Sequence, residues 1–450
     1  MAEFERYLAR SPMPAPARAV FDWHARPGAF ERLLPPFERV EVVQRTGGIE
    51  VGSRTVLRVW LGPLPRTWVA VHTALEDGAS FRDRQESGPF ALFEQTHRMI
   101  PEGADRSVLE DEVHYRLPGG AVGQLAGGGL ARARLESLFA YRHALLAADL
   151  VRHGALAGPA LRVGVGGSHG FIGTALCRFL VTGGHSVTRL PRSGITPAML
   201  EGLDALVLLG GASIGAGRWT RSLRAQIRES RVSATARVVE AMRACARPPR
   251  VLLSGSAIGF YGDRGSEPLD ETSSPGEGFL AEICQAWEAA ARGAESLGAR
   301  VVLLRTGMVL SPEGGALAKL APLFRAFAGG RVGSGRQIYS WVALEDVVGA
   351  IHFALRTPGL KGPVNLTAPE PVTNGAFTEV LGKVLRRPTP APVPALAVLA
   401  VFGEMGRQTV LASAQVAPRA LLEAGFTFRW PGLDEALGFC LGTDRLESAA

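Results

Sequence analysis

Three groups of residues in this 450-residue sequence have the types and spacing that chemistry requires. The first is GGSHGFIG, residues 166–173, with glycines at 167, 170 and 173. Between a strand and a helix, such a run lets Gly167 make the tight turn, lets a pyrophosphate approach the backbone at Gly170, and lets Gly173 pack helix on strand. The helix amino terminus then faces the phosphates, and Ser168, His169, Phe171 and Ile172 share the loop. His169 sits at the positive end of the helix dipole, which disfavours its protonation, so it reads as a neutral residue beside the ligand.

The second group lies about 20 residues further on, where an acid would accept hydrogen bonds from the ribose 2′-hydroxyl of NAD. No Asp or Glu occurs from 171 to 200; VTRLPRS instead supplies Arg189, Arg192 and Ser193, and a guanidinium there can meet a 2′-phosphate. NADP is therefore expected ahead of NAD, with solvated surface charge as the plainer reading of either arginine. The third group follows the apolar run RVLLSGS: Ser256 and, on the next loop, Tyr261. At the carboxyl edge of an α/β sheet a phenol can transfer a proton and a hydroxyl can support it. A ring packed under its loop is the alternative for Tyr261. Asp263, Glu271 and Glu282 are further acids, suited as well to capping or solvent, and Arg218 and Arg305 are candidates for holding an acidic substrate group.

Strands alternating with helices must position these groups. LRVGVGG, HSVTRL, ALVLLGG, RVLLSGS and RVVLLRTG read as strands and FIGTALCRFLVTGG as the first connecting helix, which predicts a Rossmann-like, doubly wound parallel sheet over 160–390. Before it, PARAVFDWHARPGAFERLLPPF reads as two short helices, and TVLRVWLG, RTWVAVHTAL, FEQTHRMI and RSVLEDEVHYRL as antiparallel strands. Residues 124–150 form one long helix with a stripe of Leu130, Leu138, Tyr141 and Leu145. That order predicts an α+β domain, a sheet folded around the helix, over 1–153, with the small-residue stretch HGALAGPALR as its boundary. From about 390, PTPAPVPALAVLAVFGEM and LLEAGFTFRWPGLDEAL predict a helical cap, assigned to 391–445, that closes a substrate cleft or simply packs on the sheet.

Composition excludes other classes. With 46% hydrophobic and 20% charged residues, the chain can bury ordinary cores. The net charge of +7 comes from arginines scattered among acids, with lysine only at 319, 361 and 383, and no basic stripe with interleaved aromatics points to nucleic acid. Cysteines 177, 245, 284 and 440 lack C-x-x-C or His-pair spacing, so neither a metal site nor a disulfide framework is expected. The amino-terminal MAEFERYLARSP lacks the uncharged apolar core of a signal peptide, and ALAVLAVFG at 395–403 is far short of the roughly 20 residues that span a bilayer. A cytoplasmic protein without a membrane span is expected. Neither substrate nor oligomeric state has a signature in the sequence.

In one order over roughly 161–440, GGSHGFIG, GASIGAGRWT, SGSAIGFYGDRG, FLAEICQAWE, LLRTGMVL, SGRQIYSWVALEDVV, TAPEPVTN and LLEAGFTFRWPGLDEAL resemble the extended short-chain dehydrogenase/reductases. Within these they are most similar to the NAD(P)-dependent epimerase-like oxidoreductases, although Gly166 replaces the usual threonine. The resemblance implies that Leu209, Gly210, Gly211, Ser213 and Arg218 line the cofactor together with the glycine loop. It also implies a Tyr-x-x-x-Lys relay, in which the lysine lowers the phenol pKa and holds the nicotinamide ribose. Here those slots hold Leu280 and Cys284, so Cys284 becomes a cofactor contact without the lysine's chemistry. FDWHARPGAFERLLPPF and LESLFAYRH resemble the START-like, polyketide-cyclase-like (SRPBCC) helix-grip domains, which implies an apolar cavity for a hydrophobic molecule, or else a filled core docked on its neighbour. Together these imply an NADP-dependent oxidoreductase or epimerase with an atypical proton source acting on a hydrophobic molecule. The other implied reading is a protein that binds NADP(H) and an apolar ligand without turnover.

Overall fold

Alternation decides the first element. In Glu5–Met13, Tyr7, Ala9 and Met13 are buried while Arg6 and Arg10 face out, so a segment without an apolar run forms an edge strand. The computed structural model describes residues 4–445. In it that strand leads an antiparallel sheet ordered Glu5–Met13, Ser107–Arg116, Leu92–Pro101, Ser80–Ser87, Leu64–Glu76, Arg54–Leu61, Val40–Thr46. The helix Gly120–Ala155 packs on the sheet, bringing Leu135 and Phe139 against Tyr7, Phe93 and Val113, and Leu146 and Leu150 against Met99 and Leu109. This is the expected sheet around a long helix, with three strands, Glu5–Met13, Val40–Thr46 and Ser80–Ser87, beyond those expected. Leu130, expected on the buried stripe, is 69% exposed, because packing of the helix begins only at Ala131 and Leu135. The compact unit so formed ends at Ala157 and takes back Val181–Gly184 and the residues from Phe439.

One group of buried polar residues in this unit centres on Asp111. Asp111 accepts from His143 Nε2 at 2.6 Å and Gln95 Nε2 at 3.1 Å and pairs with His97 Nδ1, while His143 Nδ1 meets Ser11 Oγ at 2.8 Å. Burial disfavours its charge, yet the two imidazoles hold the Asp111 carboxyl well below its ordinary value. Burial also opposes charge on His97, but Asp111 and Asp83 outweigh it and raise the imidazole to about 9. His24 has only the Val20 carbonyl at 2.8 Å, and burial, helped by His97, pushes it down to about 4. A cavity of about 20 Å³ lies among His24, Leu33, His97, Asp111, Arg142 and His143, with room for one water.

The second unit, Gly158–Leu180 with His185–Gly438, rests on strands buried on both faces. Its parallel sheet is ordered Ser186–Arg189, Arg162–Gly166, Ala205–Leu208, Val251–Ala257, Arg300–Thr306, Gly362–Leu366. Leu176, Leu180, Val348 and Ile351 belong to the apolar layer on one face; Leu206, Met242, Leu252 and Leu303 belong to the layer on the other. The sheet is the expected doubly wound one, with Gly362–Leu366 as a strand not foreseen. In chain order the strands run 2-1-3-4-5-6, so winding reverses between Arg162–Gly166 and Ala205–Leu208. A crevice therefore lies at the carboxyl ends of those two strands, where ligands of such sheets bind.

The opposed histidine shifts in the first unit give its stability two pH limbs. His24 is kept neutral in the fold, so its contribution is full above its unfolded value of 6.5 and is lost as pH falls toward about 4. For His97 the sign is reversed: its contribution is full below 6.5 and is lost as pH rises through about 9. Urea unfolding followed by hydrogen exchange in residues 4–157 should show stability declining on both sides of pH 6.5. His97→Gln should flatten the alkaline side; an alkaline limb unchanged in the variant would show that His97 does not carry it.

Candidate functional site

The first strand ends at Gly166, and the helix Phe171–Thr182 begins five residues later. The three glycines of the intervening loop have different surroundings. Gly167 turns with φ +77°, and a β-carbon there would lie 2.6 Å from Gly210 N. A β-carbon on Gly173 would sit on the Gly167 carbonyl and 2.9 Å from Ser168 Cα, so this position lets the helix close on the loop. Gly170 is crowded by nothing nearer than 3.4 Å and is exposed, which leaves its backbone open to an approaching group. Thr174 Oγ1 and Arg189 Nη1 both donate to Ser168 O, at 3.2 and 3.0 Å, and fix the loop from beneath. His169 is exposed, with Nδ1 3.3 Å from Ser168 Oγ.

Of the arginines at the end of the second strand, Arg189 is thus committed to the loop. Arg192 and Ser193 are exposed, and no ion pair of Arg192 is found among the described residues. Across the crevice, Leu209 N donates to Gly166 O at 2.9 Å, which sets Leu209–Gly211 beside the glycine loop. Ser213, two residues on, is exposed. Arg218 is held by the carboxyl-terminal segment, donating from Nη1 to Ala400 O at 3.1 Å. Two residues missed from the sequence, Ser230 and Arg231, grip Ala212: its N–H donates to Ser230 Oγ at 2.9 Å and its carbonyl accepts from Arg231 Nη1 at 3.0 Å. They stand on a π-helical turn, which no local sequence pattern announces.

Ser256 and Tyr261 belong to one sealed network under the carboxyl edge. Ser256 donates to Glu288 Oε1 at 2.8 Å; Glu288 pairs with Arg305 through Nε at 2.8 Å and Nη2 at 2.9 Å. Arg305 Nη1 donates to Tyr261 Oη at 3.0 Å, and Tyr261 donates to Asn365 Oδ1 at 2.8 Å. The Tyr261 ring is fully buried, which corrects the expectation that it faces the cleft. The turn Ile258–Tyr261 swings it beneath its own loop, against Phe260, Leu269, Cys284 and Val416, and burial raises its hydroxyl pKa despite Arg305. Arg305, expected as a possible substrate contact, is likewise enclosed, its guanidinium 3.5 Å over the Phe260 ring.

The other acids have backbone partners or face solvent. Asp263 accepts from Ser413 N at 3.1 Å, Glu271 accepts from Asn365 N at 2.9 Å, and Glu282 is exposed in the first turn of its helix. On that helix, Phe279–Arg292, the Cys284 thiol lies beside Ser256 and the Ala257 amide, and burial, then Glu288, pushes it to about 11. Leu280 joins Ile214, Trp219, Phe279, Ile283 and Met405 in an apolar wall. Gln408 reaches over from the carboxyl-terminal segment to accept from Leu280 N at 3.1 Å. The glycine loop and Leu209–Ala212 therefore form a cradle, shaped by positions where side chains would clash, that continues through Ala212 into an apolar wall. Among the described residues no group of metal-ligating side chains gathers, and no helix is long and apolar enough to cross a membrane.

Comparison with known proteins agrees with this architecture. Residues 163–366 match the NAD dependent epimerase/dehydratase family, 393–439 a domain of unknown function (DUF1731), and 13–139 the polyketide cyclase/dehydrase and lipid transport family. An epimerase family protein of Mycobacterium tuberculosis, MT2273, is 43% identical over 294 residues, which cover 62% of this chain and 96% of that protein. The crystal structure of the nucleoside-diphosphate sugar epimerase from Corynebacterium glutamicum is similar with a TM-score of 0.80 at 31% identity, covering 98% of this chain and 91% of that one. The human epimerase family protein SDR39U1, crystallised with NADPH, has a TM-score of 0.60 at 33% identity, covering 62% of this chain and 99% of that one. With its glycine cradle, its doubly wound sheet and these relatives, the chain belongs to the epimerase family, of the NAD dependent epimerase/dehydratase kind, and carries a polyketide-cyclase-like domain before it.

Proposed function

We propose that this chain is an oxidoreductase or epimerase that uses NADP(H) in preference to NAD(H) on a small apolar molecule. The observation that carries the reading is the cradle of Gly167, Gly170 and Gly173, with Arg192 exposed and, among the described residues, without an ion pair just beyond the end of the second strand. The NADPH-bound human relative supports the same choice. The backbone around Gly170 and the amino terminus of Phe171–Thr182 hold the pyrophosphate, with Leu209, Gly210, Gly211 and Ser213 as the facing wall. Arg192 and Ser193 hold the 2′-phosphate. When bound, the nicotinamide supplies or removes hydride. Ser256 donates to a substrate oxygen by turning its hydroxyl away from its acceptor Glu288, and the Glu288–Arg305 pair fixes the strand and helix around it. Tyr261 acts at one remove, by positioning Arg305. The apolar wall around Trp219 and Leu280 excludes water from the substrate.

The first unit is proposed to carry an apolar ligand, as its family match to lipid transport proteins supports. The cavity among His24, His97, Asp111 and His143 has room for one water, so an apolar ligand is not accommodated there without rearrangement. Free cysteines at 177, 245, 284 and 440 are in keeping with a cytoplasmic setting. A second reading, binding of NADP(H) and ligand without turnover, is favoured by the sealed Tyr261 and the neutral Cys284.

Titration should show NADPH bound at least about tenfold more tightly than NADH, or about 1.4 kcal/mol, and Arg192→Ala should shrink that gap. Equal affinities in the unaltered protein would end the NADP preference. Once a screen of hydrophobic carbonyl compounds has found NADPH oxidation, Ser256→Ala should cut turnover about 100-fold, the scale of one lost donor to a reacting oxygen. A screen with no oxidation at all favours the reading without turnover. Tyr261→Phe leaves Arg305 and Asn365 each short of a partner, so it should cost about 1–3 kcal/mol of stability while lowering turnover less than Ser256→Ala. A larger turnover loss in Tyr261→Phe, at unchanged melting, would return the proton-donor role to the tyrosine.

A further inference from the structure

Between the helices Arg221–Arg228 and Ala234–Arg243 the chain makes one π-helical turn, Glu229–Ser233. Such turns are rare inside helices and are frequent at functional sites. This one carries Arg231, whose Nη1 donates to Ala212 O at 3.0 Å and to Ile227 O at 3.4 Å. The guanidinium lies on the bare face of Gly211, where a β-carbon would be 2.7 Å from its central carbon, and 5.3 Å over the Trp287 ring. The titratable group that acts on it is the Cys284 thiol, which is neutral at ordinary pH. Among the described residues no carboxylate pairs with it. A half-buried cation thus stands without a counter-charge beside the Leu209–Ala212 loop, an unfavourable state that an incoming oxyanion relieves.

We propose that Arg231 is an anion receptor of this crevice, taking a phosphoryl or carboxylate oxygen of a bound molecule on the N–H groups not committed to Ala212 and Ile227. The inference rests on the dinucleotide reading only for the identity of that molecule. The oxygen belongs either to the dinucleotide's pyrophosphate or to an acid group of a second molecule.

The test is calorimetric titration of the full chain, of Arg231→Gln and of Arg231→Lys. The probes are NADPH, inorganic pyrophosphate, and inorganic phosphate added to NADPH-loaded protein, with thermal melting of each variant alongside. A tenfold or greater loss of NADPH and pyrophosphate affinity in Arg231→Gln, partly recovered in Arg231→Lys, assigns the arginine to the dinucleotide. Unchanged NADPH affinity with loss of phosphate binding to the loaded protein assigns it to the second molecule. Pyrophosphate binding that depends on Arg231, in a protein that does not bind NADPH, retains the receptor and removes the dinucleotide reading. Should Arg231→Gln fail to fold, Arg231→Lys decides, since an ammonium that holds Ala212 lacks the fork to hold the anion as well and should bind at least threefold more weakly. The inference is overturned if the folded variants keep every affinity within twofold while melting lower, or if the unaltered protein binds none of the three probes.

Discussion

The second unit depends on the ion pair between Arg305 and Glu288. Arg305 belongs to the fifth parallel strand and Glu288 to the helix Phe279–Arg292, and both are almost fully enclosed. Through them Ser256 of the fourth strand, Tyr261 of the following turn and Asn365 of the sixth strand become one hydrogen-bonded body. Removing either partner would strand a buried charge, commonly a loss of about 3–5 kcal/mol. The two-pronged geometry satisfies both carboxylate oxygens, and this is what makes burial of the pair tolerable.

Above this rigid floor the crevice is shaped mainly by missing side chains. Gly167 and Gly173 are bare because the chain itself fills the space, whereas Gly170 is bare toward the outside. The loop is therefore held by its own packing, by Thr174 and by Arg189, while its outer face stays open. On the far side Met405 and Gln408 of the carboxyl-terminal segment complete the wall around Leu280. The segment is part of how this wall is built.

The parallel strands and the glycine loop were legible because buried strands read as short apolar runs and the loop needs glycine at set positions. The strands Glu5–Met13 and Val40–Thr46 were not, since their outward charges dilute the alternation and pairing in the sheet supplies the rest. Gly362–Leu366 is short, with a glycine and a proline at its start, which hides a strand that only its neighbour Arg300–Thr306 selects. At the site, Tyr261 was legible as a residue but not as a direction: a single turn decides whether a ring points to solvent or inward. Arg231 was hidden for the opposite reason, because a helical period gives no sign of an inserted residue, and one arginine among many draws no notice.

The contact between Gly211 and Arg231 also imposes an order on descent. A side chain at 211 would have to push the guanidinium aside, at the expense of its bonds to Ala212 and Ile227, whereas the arginine can be lost while the glycine stays. Two positions twenty residues apart are thereby coupled, with change at 231 the easier first step. Loss of the arginine frees position 211, and keeping it favours glycine there.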